Sequence, residues 1–214
     1  MSDHFITTDS GRRIDFVDLD PNEITIEDIA RNLSNYCRFG GGVRTFYSVA
    51  EHSIRVAGLC TPDKQLHGLL HDAAEAYLGD VVAPLKHMPG MEFYRELERY
   101  FDGVILPKFG CDTEMPRDVE IADKRLRRTE QRDIRTVQPA VRSTSGIEPL
   151  KERIEPLEAE SARLLFMRVF GHLTKMDGNY IQVVDSDRDA DPGAPLWARV
   201  RYVTWSEHRA PRMP

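Results

Sequence analysis

The chain reads as all-α: a helical bundle with a short N-terminal β-hairpin and a C-terminal extension that could add a second hairpin. Three observations predict this. Apolar residues recur at three- and four-residue intervals in six segments between residues 25 and 173. Glycine and proline clusters separate those segments. The β-like runs lie only at the two ends of the chain.

Residues 5 to 18, FITTDSGRRIDFVD, place two such runs around a D-S-G turn, which predicts the hairpin. TIEDIARNLSNY follows, with Thr25 as N-cap and Ile26, Ile29, Ala30 and Leu33 at helical spacing. RFGGGVR, residues 38 to 44, ends that helix. A second helix is expected over 46–60, with Val49, His52, Val56 and Leu59 on one face, and a third over 63–78. Pro84 and the M-P-G at 88–90 mark a loop. A fourth helix, 91–106, carries Phe93, Leu97, Phe101 and Val104 as a stripe. A fifth, 115–136, aligns Val119, Asp123, Leu126 and Glu130. After a loop at 138–149, a last helix aligns Ala162, Leu165, Phe166, Val169, Phe170 and Leu173. The extension holds YIQVV and WARVRYVTW around a polar linker at 185–195, and these runs could pair with each other or mediate a subunit contact.

With 214 residues, 41% hydrophobic and 30% charged, the chain is long and apolar enough for a sizeable core. A net charge of -6 excludes a global basic footprint for nucleic acid. Cys37, Cys60 and Cys111 are scattered, with no C-x-x-C spacing, so a reducing cytoplasm fits better than a disulfide framework. No apolar signal core opens the sequence, and no run approaches the ~18 apolar residues of a membrane span. A soluble, cytoplasmic protein without a membrane partner is expected.

His52, His71, Asp72 and Asp123 fall on or beside the apolar side of their helices. Burying four ionisable groups is costly unless they are paired or hold a metal. Imidazole and carboxylate donors together suit a divalent transition metal. On spacing alone, a single inward histidine is still more often a satisfied core residue, and an adjacent His-Asp pair is common by chance.

The surrounding words carry more. SVAEHS at 48–53, LLHDAAEAYLGD at 69–80 and IADK at 121–124 occur in that order. They resemble the H…HD…D pattern of the HD-domain phosphohydrolase superfamily, and most closely its 5'-deoxynucleotidase branch. That branch also contains phage deoxyadenosine triphosphate triphosphohydrolases. The resemblance covers residues 5 to 135 and continues through the helix ending near 173; 177–214 has no counterpart, which divides the chain into 1–176 and 177–214. It implies an HD-domain bundle in which His52, His71, Asp72 and Asp123 ligate one divalent transition metal (Co, Mn, Zn, Fe or Ni). A second metal such as Mg arriving with bound nucleotide is compatible with it.

Glu75 lies four residues after His71 and three after Asp72, over the same helix face. It could accept a proton from the attacking water, the role of the corresponding glutamate in the branch. GDVVAPLK, residues 79–86, resembles a word in which the aspartate, here Asp80, supports the site and the lysine, here Lys86, faces phosphate. Arg38 and Phe39 resemble an arginine-aromatic pair that grips phosphate or ribose and shapes the sugar and base pocket. Each of these also reads as an ordinary surface or core residue when taken alone. Gly40, Gly41 and Gly42 permit close backbone approach but form no P-loop, since no G-K-[ST] follows. Many relatives carry a histidine where this sequence has Gly42, a departure at the substrate entrance.

His67 forms an i,i+4 pair with His71, yet the HD pattern does not use that position. His87 is ambiguous. Glu130, two turns after Asp123, is a candidate to support the ligands. The run DKRLRRTEQRDIR reads as a solvated face, from which Lys124 could still reach substrate.

The expected function is metal-dependent hydrolysis of a phosphate ester in a 5'-deoxynucleotide. A monophosphatase is favoured over a triphosphohydrolase that releases triphosphate, because it needs only the groups already named. A non-catalytic nucleotide-sensing or interaction module and a cyclic or signalling nucleotide substrate are the other readings. The expected partners are a small nucleotide and further copies of the chain in a homo-oligomer, with no stable nucleic-acid partner.

Overall fold

In the hairpin, β1 (Phe5–Thr7) and β2 (Arg13–Asp15) pair antiparallel, with Ile6 opposite Ile14. Gly11, at φ 82°, supplies the left-handed residue that closes the turn. Ile14 points into the bundle and is fully buried, and the Ser10 hydroxyl donates to Asp28 at 2.6 Å. The hairpin is thereby fastened to the first helix. The computed structural model describes residues 3–135 and 146–174. The extension at 177–214 with its expected hairpin, and most of the expected loop at 138–149, lie outside the described residues.

The described residues are mostly helical, with this two-stranded sheet at the N-terminal end. Helix α1 (Ile26–Asn35) starts at Thr25, whose side chain accepts from the Asp28 amide, as the cap predicts. It buries Ile26, Ile29, Ala30 and Leu33. Helix α2 (Val49–Leu59) is capped by Ser48 and is buried at every position from Val49 to Ala57. It is the central element, packed against α3 (Gln65–Leu70), α7 (Arg117–Asp133) and α8 (Ala159–Thr174). Val49, Ala50, Ile54 and Ala57 join the larger core with α1, α3, α8 and α6 (Glu92–Lys108). Val56 joins a smaller core with Tyr47, Val119, Ala122 and Leu126. A polar residue on α2 therefore sits between two apolar walls.

Three expectations are corrected. The helix expected over 63–78 is not continuous: a 3-10 turn (Pro62–Lys64) and α3 lead into turns at 71–74, then α4 (Glu75–Leu78). There Ala73 donates to Leu70 and Glu75 to Asp72, a tighter i→i+3 pattern. The Gly68 carbonyl, which an α-helix would offer to the Asp72 amide, instead accepts from the His71 ring at 2.8 Å. The His71 side chain competes with the helix for its own acceptor. Secondly, the expected loop at Pro84 contains a short helix, α5 (Ala83–Lys86), with the proline in its first turn. Thirdly, Phe93 is 74% exposed. Its turn of α6 lies beside Phe5, Phe16 and Val17, at the hairpin rather than the core. The buried stripe of α6 is Phe101, Ile105 and Leu106, with Leu97 and Val104 packed at its edge.

Among the described residues, no helix is long and apolar enough to cross a membrane.

Candidate metal centre

Of the four side chains predicted to act together, three form one donor group and the fourth, Asp123, touches it at His52. His52 on α2 is fully buried, and its Nε2 lies 3.3 Å from His71 Nε2, 3.3 Å from Asp123 Oδ1 and 3.6 Å from Asp72 Oδ2. His71 Nε2 is 3.3 Å from the same Asp72 oxygen. Donor atoms of His52, His71 and Asp72 all lie within 4.8 Å of one another, a group that could hold a metal ion. Asp123 reaches it from α7 through His52. Metal–ligand bonds of about 2.1 Å set neighbouring donors roughly 3.0–3.4 Å apart, close to these separations.

The outer nitrogens decide which way the imidazoles face. His71 Nδ1 is 2.8 Å from the Gly68 carbonyl, which only accepts, so Nδ1 carries the proton and Nε2 keeps its lone pair for the cluster. His52 Nδ1 is 2.6 Å from Glu130 Oε1, in a pair with no exposure on either side. A carboxylate behind the ring orients its other nitrogen toward a cation and raises its basicity. Glu130, expected to support the ligands, occupies that position.

Charge explains the titration behaviour. Burial would raise the Glu130 carboxyl, but Arg38 and His52 outweigh it and hold it at about 2. Burial and the Arg38 charge oppose protonation of His52, while Glu130 and Asp123 reverse the balance and raise it to about 9. Asp123 is drawn well below the usual carboxylate range against its own burial, by His52, His71 and Arg127. Surroundings that favour a proton on His52 are the surroundings that favour a cation at the cluster, and the two compete for its Nε2.

Arg38 is buried between Asp72 Oδ2 and Glu130 Oε2, each 3.4 Å away. Its guanidinium neutralises the cluster rather than standing open to solvent. Phe39 is a non-glycine residue at positive φ, 57°, a conformation costing roughly 1 kcal/mol or more. Its ring lies 5.6 Å from both the Arg38 and the Arg135 guanidinium carbons. At Gly42 a Cβ would come within 3.2 Å of the Phe39 carbonyl, so the loop as folded favours glycine.

Glu75 is buried, and Lys86 Nζ donates to its Oε1 at 3.0 Å and to Glu98 Oε1 at 2.6 Å. Burial and the nearby Asp72 charge raise the Glu75 carboxyl to about 8 despite Lys86. Asp80 makes no hydrogen bond or ion pair among the described residues, although its charge acts on Arg38 and Glu75. His67 is buried with no partner for Nε2 and lies outside the donor group. His87 is exposed, and Lys124 pairs with Glu120 on the solvent face, away from the cluster.

A cavity of about 310 Å³ opens beside the cluster, lined by His71, Asp72, Glu75 and Lys86. Its far wall is α6: Arg95, Glu98, Arg99 and Asp102. None of these four emerged from the sequence. Their spacing, i, i+3, i+4 and i+7, is a polar helical stripe, but such a stripe is ordinarily a solvated face.

No family model matches the chain. Over 130 residues, 61% of this chain, it is 39% identical to the uncharacterized protein YfdR of Escherichia coli, covering 72% of that protein. Over 124 residues, 54% of this chain, it is 37% identical to an uncharacterized protein of Rhodobacter capsulatus, covering 63% of it. The chain belongs to the family of YfdR.

Proposed function

We propose that this member of the YfdR family is a divalent-metal-dependent phosphohydrolase of 5'-deoxynucleotides, in its simplest form a 5'-deoxynucleotidase acting on deoxynucleoside monophosphates. One observation carries the reading. His52, His71, Asp72 and Asp123 converge beside a cavity that also presents Glu75 and Lys86. The likeness of the H…HD…D words to HD-domain phosphohydrolases supports it, with the HD-domain bundle as the proposed fold.

The donor set, two imidazole nitrogens and two carboxylate oxygens, fits a transition metal: Co, Mn, Zn, Fe or Ni. Bound there, such a metal supplies Lewis acidity toward a phosphate oxygen and lowers the pKa of a nearby water. The chain's own groups do the rest. Glu75 orients the water and takes its proton. Lys86, exchanging its contact with Glu75 for one with substrate, balances charge growing on the phosphoryl oxygens. Arg38 keeps Asp72 and Glu130 ionised and so positions the ligands. Phe39, in its strained conformation, borders the sugar and base, and Asp80 adds negative field near Glu75. The bond that breaks joins phosphorus to the sugar 5'-oxygen. A water oxygen replaces it on phosphorus, and the proton passes through Glu75 to the departing 5'-oxygen.

Metal analysis of the purified chain, with product analysis over deoxynucleoside mono- and triphosphates and cyclic or signalling nucleotides, tests the reading. Inorganic phosphate from a monophosphate is the expected product. Free triphosphate would replace the monophosphatase with the triphosphohydrolase. A metal-free protein that hydrolyses none of them would overturn the enzyme and leave a nucleotide-sensing or interaction module.

A further inference from the structure

We infer that Arg99, on α6, is a specificity-determining residue that contacts a phosphate group beyond the one undergoing hydrolysis. The inference rests on the phosphohydrolase reading for the position of the reacting phosphate, and it favours the triphosphohydrolase form of that reading over the monophosphatase.

The cavity beside the metal ligands has three cations in its lining, and two of them are engaged. Lys86 is held by Glu75 and Glu98. Arg95 donates to the Lys86 carbonyl at 2.5 Å and lies 3.5 Å from Glu92. Arg99 differs. Its Nε donates weakly to the Arg95 carbonyl at 3.3 Å, and its guanidinium has no carboxylate partner among the described residues. This holds although Glu98 is adjacent and Asp102 lies one turn on, both lining the same cavity. The planar end of Arg99 is left with donors suited to bidentate contact with phosphate oxygens.

Position separates this group from the predicted sugar and base contacts. Neither Arg38 nor Phe39 lines the cavity, whose lining joins His71 and Asp72 to Arg95, Glu98, Arg99 and Asp102 of α6. A nucleotide with its nucleoside at Phe39 and its reacting phosphorus at the cluster extends any further phosphates toward α6. Lys86 then meets the reacting group, and Arg99 meets the next. The acids in the same wall, Glu98 and Asp102, keep an isolated anion from binding there strongly. A chain of phosphates anchored at the cluster overcomes that repulsion through its high local concentration.

The test is direct binding of inorganic tripolyphosphate and of orthophosphate to the full chain, by titration calorimetry. It is run on the metal-loaded protein and again after dialysis against chelator. Arg99→Ala is compared with Arg99→Lys and with wild type, with helix content checked by circular dichroism; Arg99 is exposed, so the fold should survive. Tripolyphosphate is expected to bind tighter than orthophosphate. Arg99→Ala should weaken tripolyphosphate about tenfold and orthophosphate less than twofold, with Arg99→Lys between. Equal loss for both anions, loss for neither, or no tripolyphosphate binding by wild type would each overturn the proposal. Because this test reads binding alone, its failure leaves the phosphohydrolase reading to product analysis; a chain that binds as expected but yields no product in that analysis would sink the phosphohydrolase reading and leave Arg99 as a polyphosphate contact with no role in hydrolytic specificity.

Discussion

The cluster around His52 and the cavity that adjoins it are built differently. On one side, His52 and Glu130 have no exposure, and Arg38 is tied to two acids at once. On the other, the Lys86 and Glu98 side chains are each 19% exposed, and Arg99 has no acid partner among the described residues. The first side is fixed by its internal contacts, as the proposed metal site would require, since donors must stand at set separations and any ordering left for later would weaken binding. The second side is made of long, partly solvated side chains that can exchange partners, as the proposed contact with a charged substrate would require. One wall is a socket and the other is adjustable.

Variants in the socket should act on metal and catalysis together. Asp72→Ala has the largest expected effect: hydrolysis at background and metal content near zero, by turnover assay and elemental analysis. Full activity in this variant would break the assignment outright. Glu75→Gln tests the boundary between the two sides. Turnover should fall about 10²- to 10⁴-fold while metal content stays at wild-type level; loss of metal would move Glu75 into the socket. Glu130→Gln keeps shape but removes the charge behind His52, so metal affinity should drop roughly 10- to 100-fold in competition with a chelator. An unchanged affinity would mean the His52 ring is held by packing alone.

Outside the cavity, charge acts on stability. Burial pushes the Asp133 carboxyl up, but donation from Arg132, the Ile154 amide and Arg153 brings it down to about 2. A depressed carboxyl stabilises the fold above its ordinary pKa, near 3.8, and loses that contribution as pH falls toward 2. Asp133→Asn should cost about 1.5–3 kcal/mol at pH 7 in denaturant unfolding, with the gap to wild type closing as pH falls from about 4 to 2. A gap constant across that window would assign the effect to shape rather than charge. The smallest change is expected at Phe93→Ser, within about 0.5 kcal/mol of wild type, since that ring is mostly solvent-facing.

Much of this was legible in the sequence. Local rules placed the hairpin, the Thr25 cap and the faces of α1, α7 and α8, because periodicity and capping are short-range. Residue type and order singled out His52, His71, Asp72, Asp123 and Glu75, and the structure brings the two histidines and two aspartates together and puts Glu75 in the wall of the adjoining cavity. Other features were not legible. The break at 71–74 depends on His71 taking the Gly68 carbonyl, a choice a helical pattern does not record. Arg38 reads as a substrate contact in the sequence, and only the structure shows its guanidinium buried between two carboxylates. Phe93 fitted the α6 stripe but lies over the hairpin, beyond the core.

The sequence by itself determined most of the helical segments, because periodicity is local, and through its likeness to the H…HD…D words it singled out the side chains that could form a metal site. Only the tertiary structure decided that Glu130 stands behind His52 and that the polar stripe of α6 faces those ligands across a cavity. Those are contacts between residues 78 positions apart in one case and between separate helices in the other. Packing of the bundle sets them, and no local pattern encodes them.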